Sequence, residues 1–252
     1  MKAVILAAGR GERIHRTIEP LNKCMLKFDG KYLIQYSLKS AILSRVEGII
    51  IVVGYQAETI INTFGISYEG VKIRYVIQRE LKGIVDAIEH TKAELEGDAF
   101  ILFLADEILI NPRPHEMIKT FYEENLFVAC GVVEVGDNNE IKKTYSVFYN
   151  PLDFRIYRLV EKPRKPVNNI MGTGICVFKN NIFNYIPHTP INQVRNEKEL
   201  PDLIQCAIDD GNPVKLYVIG AKYVNINTAE DIKTAEKLLR KNNRNWKKRV
   251  TA

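Results

Sequence analysis

The residues best suited to chemistry stand near the amino terminus, in Ala7-Ala8-Gly9-Arg10-Gly11-Glu12-Arg13-Ile14, directly after the apolar run KAVILA. Two glycines allow a tight turn that aims backbone N–H groups at an anion. Arg13 closes this loop, and Lys23 follows in Pro20-Leu21-Asn22-Lys23-Cys24-Met25-Leu26, so two cations could aim charge at a triphosphate. A dinucleotide fingerprint requires a third glycine where Ile14 stands, and a P-loop requires Gly-Lys-Ser/Thr; the segment has neither.

Such a loop must be held by a sheet. Short β-branched runs at 2–7, 48–53, 71–77, 99–104, 127–133 and 214–219 alternate, early in the chain, with helical patterns over 31–45, 56–63 and 83–95. Continuous apolar strands of this kind predict an α/β fold. It has a Rossmann-like, mostly parallel central sheet with helices on both faces, built from right-handed βαβ units. The alternation weakens after residue 140, where 145–149, 155–160 and 174–178 read as hairpin-type strands of a small added sheet region, punctuated by Pro163, Pro166, Pro187 and Pro190. A last helix is predicted over 228–241, with Thr228 as N-cap and Glu230 and Asp231 where they favour the helix dipole. In open sheets ligands bind beyond the carboxyl ends of the strands. That rule singles out the loop 8–13, Gln78, Asp106 and Asn225.

Composition narrows the class. The chain has 252 residues, with 36 Lys and Arg against 30 Asp and Glu. The excess is confined to Arg240, Lys241, Arg244, Lys247, Lys248 and Arg249, which leaves a charge-balanced body and argues against a nucleic-acid face. At 46% hydrophobic and 26% charged, a mainly disordered or fibrous chain is excluded. Cys24, Cys130, Cys176 and Cys206 are too widely spaced for a zinc site and read as reduced thiols of a cytoplasmic protein. No apolar stretch approaches the roughly 20 residues of a membrane span, and the amino terminus is too short for a signal peptide. His15, His90, His115 and His188 lie apart and read as surface or local structural residues. Trp246 sits in the basic tail, either on a frayed helix end or in a docking segment.

Residues 3–38 closely resemble the start of the nucleoside-diphosphate-sugar pyrophosphorylases, the sugar-1-phosphate nucleotidyltransferases. Further matches follow in family order to about residue 235: Gln78 with Gly83, Leu104-Ala105-Asp106, Glu161-Lys162-Pro163, Thr173-Gly174-Ile175, Glu199-Leu200-Pro201-Asp202, and Val224-Asn225 with Thr228-Ala229-Glu230-Asp231. The resemblance implies a GT-A-like domain over 1–239, its nucleotide part about 1–135 and its sugar-phosphate part about 136–227, followed by the tail 240–252. After residue 241 there is no room for the β-helix that many larger relatives append. The implied reaction is attack by a sugar-phosphate oxygen on the α-phosphorus of a nucleoside triphosphate, releasing pyrophosphate.

By the same resemblance, Arg13 and Lys23 are the catalytic cations, and Ala8, Gly9, Arg10 and Gly11 cradle the phosphates. Gln78 and Gly83 read a pyrimidine, which favours UTP or dTTP. Lys162 binds the acceptor phosphate, with Ser146, Glu161, Thr173, Gly174 and Glu199 around the sugar. Asp106 and Asn225 hold Mg²⁺, an ion that prefers few carboxylates plus phosphate oxygens. Ser146 stands where thymidylyltransferases have Gly, and Asn22 and Ala105 where the family usually has Pro and Gly. Glu107 reads as exposed, and Lys82 and Asp86 as solvated charges at a helix start. Two other readings are carried: a cytidylyltransferase acting on a non-sugar phosphate or phosphonate, and a regulatory subunit that binds a nucleotide sugar without turnover. Expected partners are the triphosphate and a phosphorylated small-molecule acceptor, without nucleic acid or membrane; a homo-oligomer is allowed.

Overall fold

A computed structural model describes residues 1–11 and 22–250; residues 12–21, 251 and 252, and the side chains of 243–250, lie outside the description. Four strands form its parallel centre. They are β1 (Lys2–Ala7), β2 (Ile49–Val53), β4 (Val71–Ile77) and β5 (Phe100–Leu104), in the order β5-β1-β2-β4, with the short β3 (Ser67–Tyr68) antiparallel on β4 at the edge. The reason lies in the sequence period. Ala3, Ile5, Ala7, Ile49, Ile51 and Val53 pack on one face against α1 (Ile34–Leu43), while Val4, Ile50 and Val52 pack on the other. All five residues of β2 are buried, each side chain contributing about 1.5–3 kcal/mol of transfer free energy.

The sheet region expected after residue 140 is an antiparallel extension of this sheet. Strand β10 (Ile170–Phe178) is buried along its whole length and lies beside β5, with Cys176 opposite Leu102. Through β10 the sheet gains β7 (Val128–Glu134), β8 (Tyr145–Tyr149), β9 (Ile156–Glu161) and β11 (Val214–Val218), ten strands in all among the described residues. A separate two-stranded ladder joins β6 (Glu107–Ile110) to β12 (Lys222–Asn225).

The helices depart from the sequence pattern in three places. The pattern over 83–95 divides into α3 (Ile84–Glu89) and α4 (Lys92–Leu95), because the buried Thr91 hydroxyl bonds back to the Ile88 carbonyl. Between α2 (Ala57–Phe64) and the carboxyl terminus lie α5 (Pro114–Glu123) and α6 (Leu200–Asp209), which the periodicity reading missed. Both carry Pro in the first turn and an apolar stripe (Met117, Ile118 and Phe121; Leu203, Ile204 and Ala207), and these were the available signals. The final helix α7 (Ala229–Val250) runs past residue 241 into the basic tail. It opens as expected on Thr228, whose N–H donates to Asp231 Oδ2 at 2.8 Å while Asp231 N–H donates back to its hydroxyl. Ala235 and Leu239 seat α7 on the β6–β12 ladder. No helix among the described residues is long and apolar enough to cross a membrane.

Candidate active site

The carboxyl ends of β1, β2, β4 and β5 are stitched together by backbone bonds: Tyr55 N–H to Ala8, Gln78 N–H to Val53 and Ala105 N–H to Leu6. Gly54, which sequence reasoning did not single out, makes this convergence possible. A Cβ there would stand 3.0 Å from the Ala8 carbonyl and 3.1 Å from that of Gln78. The two loop glycines serve different ends. A Cβ on Gly9 would meet no described residue within 4 Å, whereas Gly11 has φ +67° and its Cβ would lie 2.9 Å from that of Lys23. Asn22 is fully buried and ties this corner together. Its amide donates to Tyr55 O at 2.7 Å, its Oδ1 caps the turn Lys23–Met25, and its own N–H reaches Gln56 Oε1.

This framework directs Lys23 inward. Its ammonium pairs with Asp106 at 2.5 Å and reaches Asn227 Oδ1 at 3.4 Å, with only 12% of the side chain exposed. Arg13, the second expected cation, lies outside the described residues. Lys23, the loop Ala8–Gly11, Gln78 and Gly83 all line one cavity of about 670 Å³.

In this cavity the geometry revises the expectation for Gln78. Its Nε2 donates to Asp86 Oδ2 at 2.6 Å and to Gly83 O at 3.2 Å, so both amide hydrogens are committed and only Oε1 remains for a ligand. Asp86 is therefore not a solvated helix-start charge; it is the partner of a nearly buried amide. Lys82 does pair at the surface, with Glu80. Gly83 has φ +92°, and a Cβ on it would press against Glu197.

Asp106 follows β5 and also lines a second cavity of about 170 Å³. The β6–β12 ladder pairs Glu107 with Asn225, and Ile226 N–H bonds Asp106 O, which carries Asn225 to the same wall. Glu107 is a correction: it is buried, not exposed. Its Oε1 accepts from Tyr223 O–H at 2.6 Å and Gly174 N–H at 2.9 Å, while Oε2 has no partner among the described residues. Burial, with the Asp106 charge adding, pushes its carboxyl up to about 8.

The rest of the second cavity mixes polar groups with Ile84, Leu104, Leu200 and Pro201. Gly174 is required there, because a Cβ would overlap Leu104 at 2.3 Å and Glu107 Oε1 at 2.8 Å. Thr173 sits at a register shift in β10, donating to Gly131 O and accepting from Ile175 N–H, so its hydroxyl shapes the wall. Ser146 does not line the cavity; its hydroxyl is buried without a partner among the described residues, next to Tyr145, which does. Lys162 lines it with φ +43°, a left-handed strain of the kind that collects at functional sites. Its ammonium lies 3.2 Å from Glu161 Oε1.

Sequence reasoning missed Arg195. Carried by the hairpin of Ile191–Asn192 with Glu197–Lys198, it bridges Glu161 and Glu199, each at 2.7 Å. Its only signal was a position one helical turn before Glu199. Burial and the neighbouring Glu161 raise the Glu199 carboxyl. For a metal, Asp106 and Asn225 offer few oxygens on a shared wall, and no group of three or more His, Cys, Asp or Glu among the described residues could hold one. That donor set suits an ion whose shell is completed by phosphate oxygens.

The arrangement places a cavity with a glycine loop and the part-buried Lys23 ammonium beside a smaller one lined by three cations (Lys143, Lys162 and Arg195) and four carboxyl groups (Asp106, Glu107, Glu161 and Glu199), the two meeting at Asp106 and Asn227. Such a pair can hold a polyphosphate and a phosphorylated acceptor in reach of each other. Known proteins share the framework. The chain is 32% identical, over 95% of its length and 96% of the relative's, to the UTP–glucose-1-phosphate uridylyltransferase AglF of Haloferax volcanii. It is 30% identical over 84% of its length to the bifunctional protein GlmU of Methanococcus maripaludis, of which it spans about half (48%). The fold superposes on UDP-glucose pyrophosphorylase in complex with UDP-glucose with a TM-score of 0.85, covering 95% of this chain and 98% of that one at 23% identity. With the nucleotidyl transferase family model matching residues 2–243, across both cavities and the strands that carry them, the chain belongs to that family.

Proposed function

We propose that the protein transfers a nucleoside monophosphate from a pyrimidine nucleoside triphosphate to a sugar 1-phosphate, forming a nucleoside-diphosphate sugar and pyrophosphate. The observation that carries this reading is the junction of the two cavities at Asp106, with Lys23 on the nucleotide side and Lys162 and Arg195 on the acceptor side. The likeness to a UTP–glucose-1-phosphate uridylyltransferase over nearly the whole of both chains points the same way.

In this reading residues 1–135 bind the nucleotide and 136–227 the acceptor. The backbone of Gly9 to Gly11 receives the phosphates, and Gln78 and Gly83 receive the base. Lys162 and Arg195 hold the acceptor phosphate, which bears the oxygen that attacks the α-phosphorus, while Glu161 and Glu199 take hydrogen bonds from hydroxyls. Lys23 neutralises charge on the triphosphate as it passes to the transition state, a contact of about 3–4 kcal/mol. Little covalent help is needed, since positioning and charge neutralisation dominate such transfers. Asp106 and Asn225 would hold Mg²⁺, whose chemistry there is to draw charge from the phosphate oxygens. Ser146, placed behind the wall, acts on the acceptor only through packing.

A pyrophosphate-release screen tests the proposal: five nucleoside triphosphates crossed with sugar 1-phosphates, phosphocholine and aminoethylphosphonate. Turnover with UTP or dTTP and a sugar 1-phosphate is expected. Turnover restricted to CTP and a non-sugar acceptor, or none with any pair, would overturn it.

A further inference from the structure

Gln78 is nearly buried, and two acceptors, Asp86 Oδ2 at 2.6 Å and Gly83 O at 3.2 Å, converge on its amide nitrogen. Reversing the amide would set its carbonyl oxygen against a carboxylate and a backbone carbonyl, so its orientation is fixed by chemistry. Its Oε1 accepts no hydrogen bond from any described residue, and the side chain lines the nucleotide cavity beside Gly83. Asp86 itself is held in the first turn of α3 and does not line that cavity.

We infer that Asp86 is a specificity-positioning residue: it locks Gln78 so that the protein reads the base through a lone acceptor. This rests on the proposal that Gln78 faces the base. An acceptor aimed at the Watson–Crick edge of a pyrimidine pairs with the imide N3–H of uracil or thymine. Cytosine carries a lone pair at that ring position and is opposed. A free glutamine could turn its amide to suit either pyrimidine, because it carries both a donor and an acceptor. With the charged acceptor in place the turn would strand two acceptors and forfeit a charge-assisted bond, and selectivity becomes a property of the residue behind the reader.

The test compares kcat/KM for UTP, CTP and N3-methyl-UTP in the wild type and in Asp86→Leu, Asp86→Asn and Gln78→Ala, with melting temperatures confirming that each variant folds. In the wild type, N3-methylation should lower kcat/KM sharply. Asp86→Leu should reduce the UTP-to-CTP ratio about tenfold, as expected for one lost charge-assisted hydrogen bond, with the acceptor KM unmoved. Asp86→Asn, whose amide can turn together with that of Gln78 and leaves only the Gly83 carbonyl to oppose reversal, should lower the ratio less than Asp86→Leu does; a purely structural role for Asp86 would not move the base ratio at all. If Gln78→Ala blurs the base profile while Asp86→Leu keeps it, the positioning role is wrong and the base reading survives. If Gln78→Ala leaves the profile unchanged, the base reading itself is wrong and the inference falls with it.

Discussion

Glu107→Gln isolates a strongly perturbed carboxyl of the second cavity, next in the chain to Asp106, where the two cavities meet. In the unfolded chain this group ionises near 4.5; in the folded protein burial holds its proton up to about 8. Between these values the native state binds the extra proton, so stability from this group is complete below pH 4.5, drains as pH rises, and is constant above about 8. Each pH unit of that interval is worth about 1.4 kcal/mol, so the loss between pH 5 and 9 comes to about 4 kcal/mol. Glutamine resembles the protonated acid: its carbonyl can keep the bonds from Gly174 N–H and Tyr223 O–H, and its NH₂ occupies the place of the unpartnered Oε2. The variant should therefore match the wild type within about 1 kcal/mol at pH 5 and exceed it by several kcal/mol at pH 9, or roughly 10 °C in melting temperature. Urea unfolding of both proteins at pH 5, 7 and 9 measures this, because all other titrating groups cancel in the difference. A stability difference that stays constant from pH 5 to 9 would refute the claim that Glu107 is held neutral by burial.

Four further perturbations address the chemistry. Asp106→Ala should abolish pyrophosphate release with the fold intact, and unchanged activity would remove Asp106 from the reacting centre. Lys23→Ala should lower kcat on the order of a hundredfold or more while nucleotide affinity changes much less; equal losses in both would mean that Lys23 only binds. Gly11→Ala forces a left-handed φ costing about 1–2 kcal/mol and drives a Cβ into Lys23; kcat should fall with only a few degrees lost in melting temperature, and an unaltered kcat would show that the loop does not position Lys23. Arg195→Leu should raise the acceptor KM about tenfold and leave that of the nucleotide unchanged, so a shift confined to the nucleotide would move Arg195 out of the acceptor cavity.

Local pattern carried much of the fold because the central strands are apolar without interruption. A run such as Ile49–Val53 has no stable place except between two covered faces, and the residue after each such strand is then placed at the sheet's carboxyl edge. Gly11, Gln78 and Asp106 were legible for that reason, and Lys23 from its place after the glycine loop and the family resemblance. Helices α5 and α6 were less so, since their stripes are short and a proline start is easily mistaken for loop punctuation.

What the sequence determined by itself was the class of fold, the family resemblance and the strand-end residues, because these follow from local periodicity and the spacing of residue types. Tertiary structure decided the rest. Asn225 reaches Asp106 only through the β6–β12 ladder, and Arg195 meets Glu161 and Glu199 only because a hairpin folds over them. In sequence Glu107 and Asp86 read as exposed or solvated charges, because their neighbours along the chain are poor guides to their surroundings in space. Burial made the first a held proton, and a 2.6 Å bond made the second the partner of Gln78. Charge state and hydrogen-bond direction depend on the atoms packed around a group, and only the folded chain fixes those.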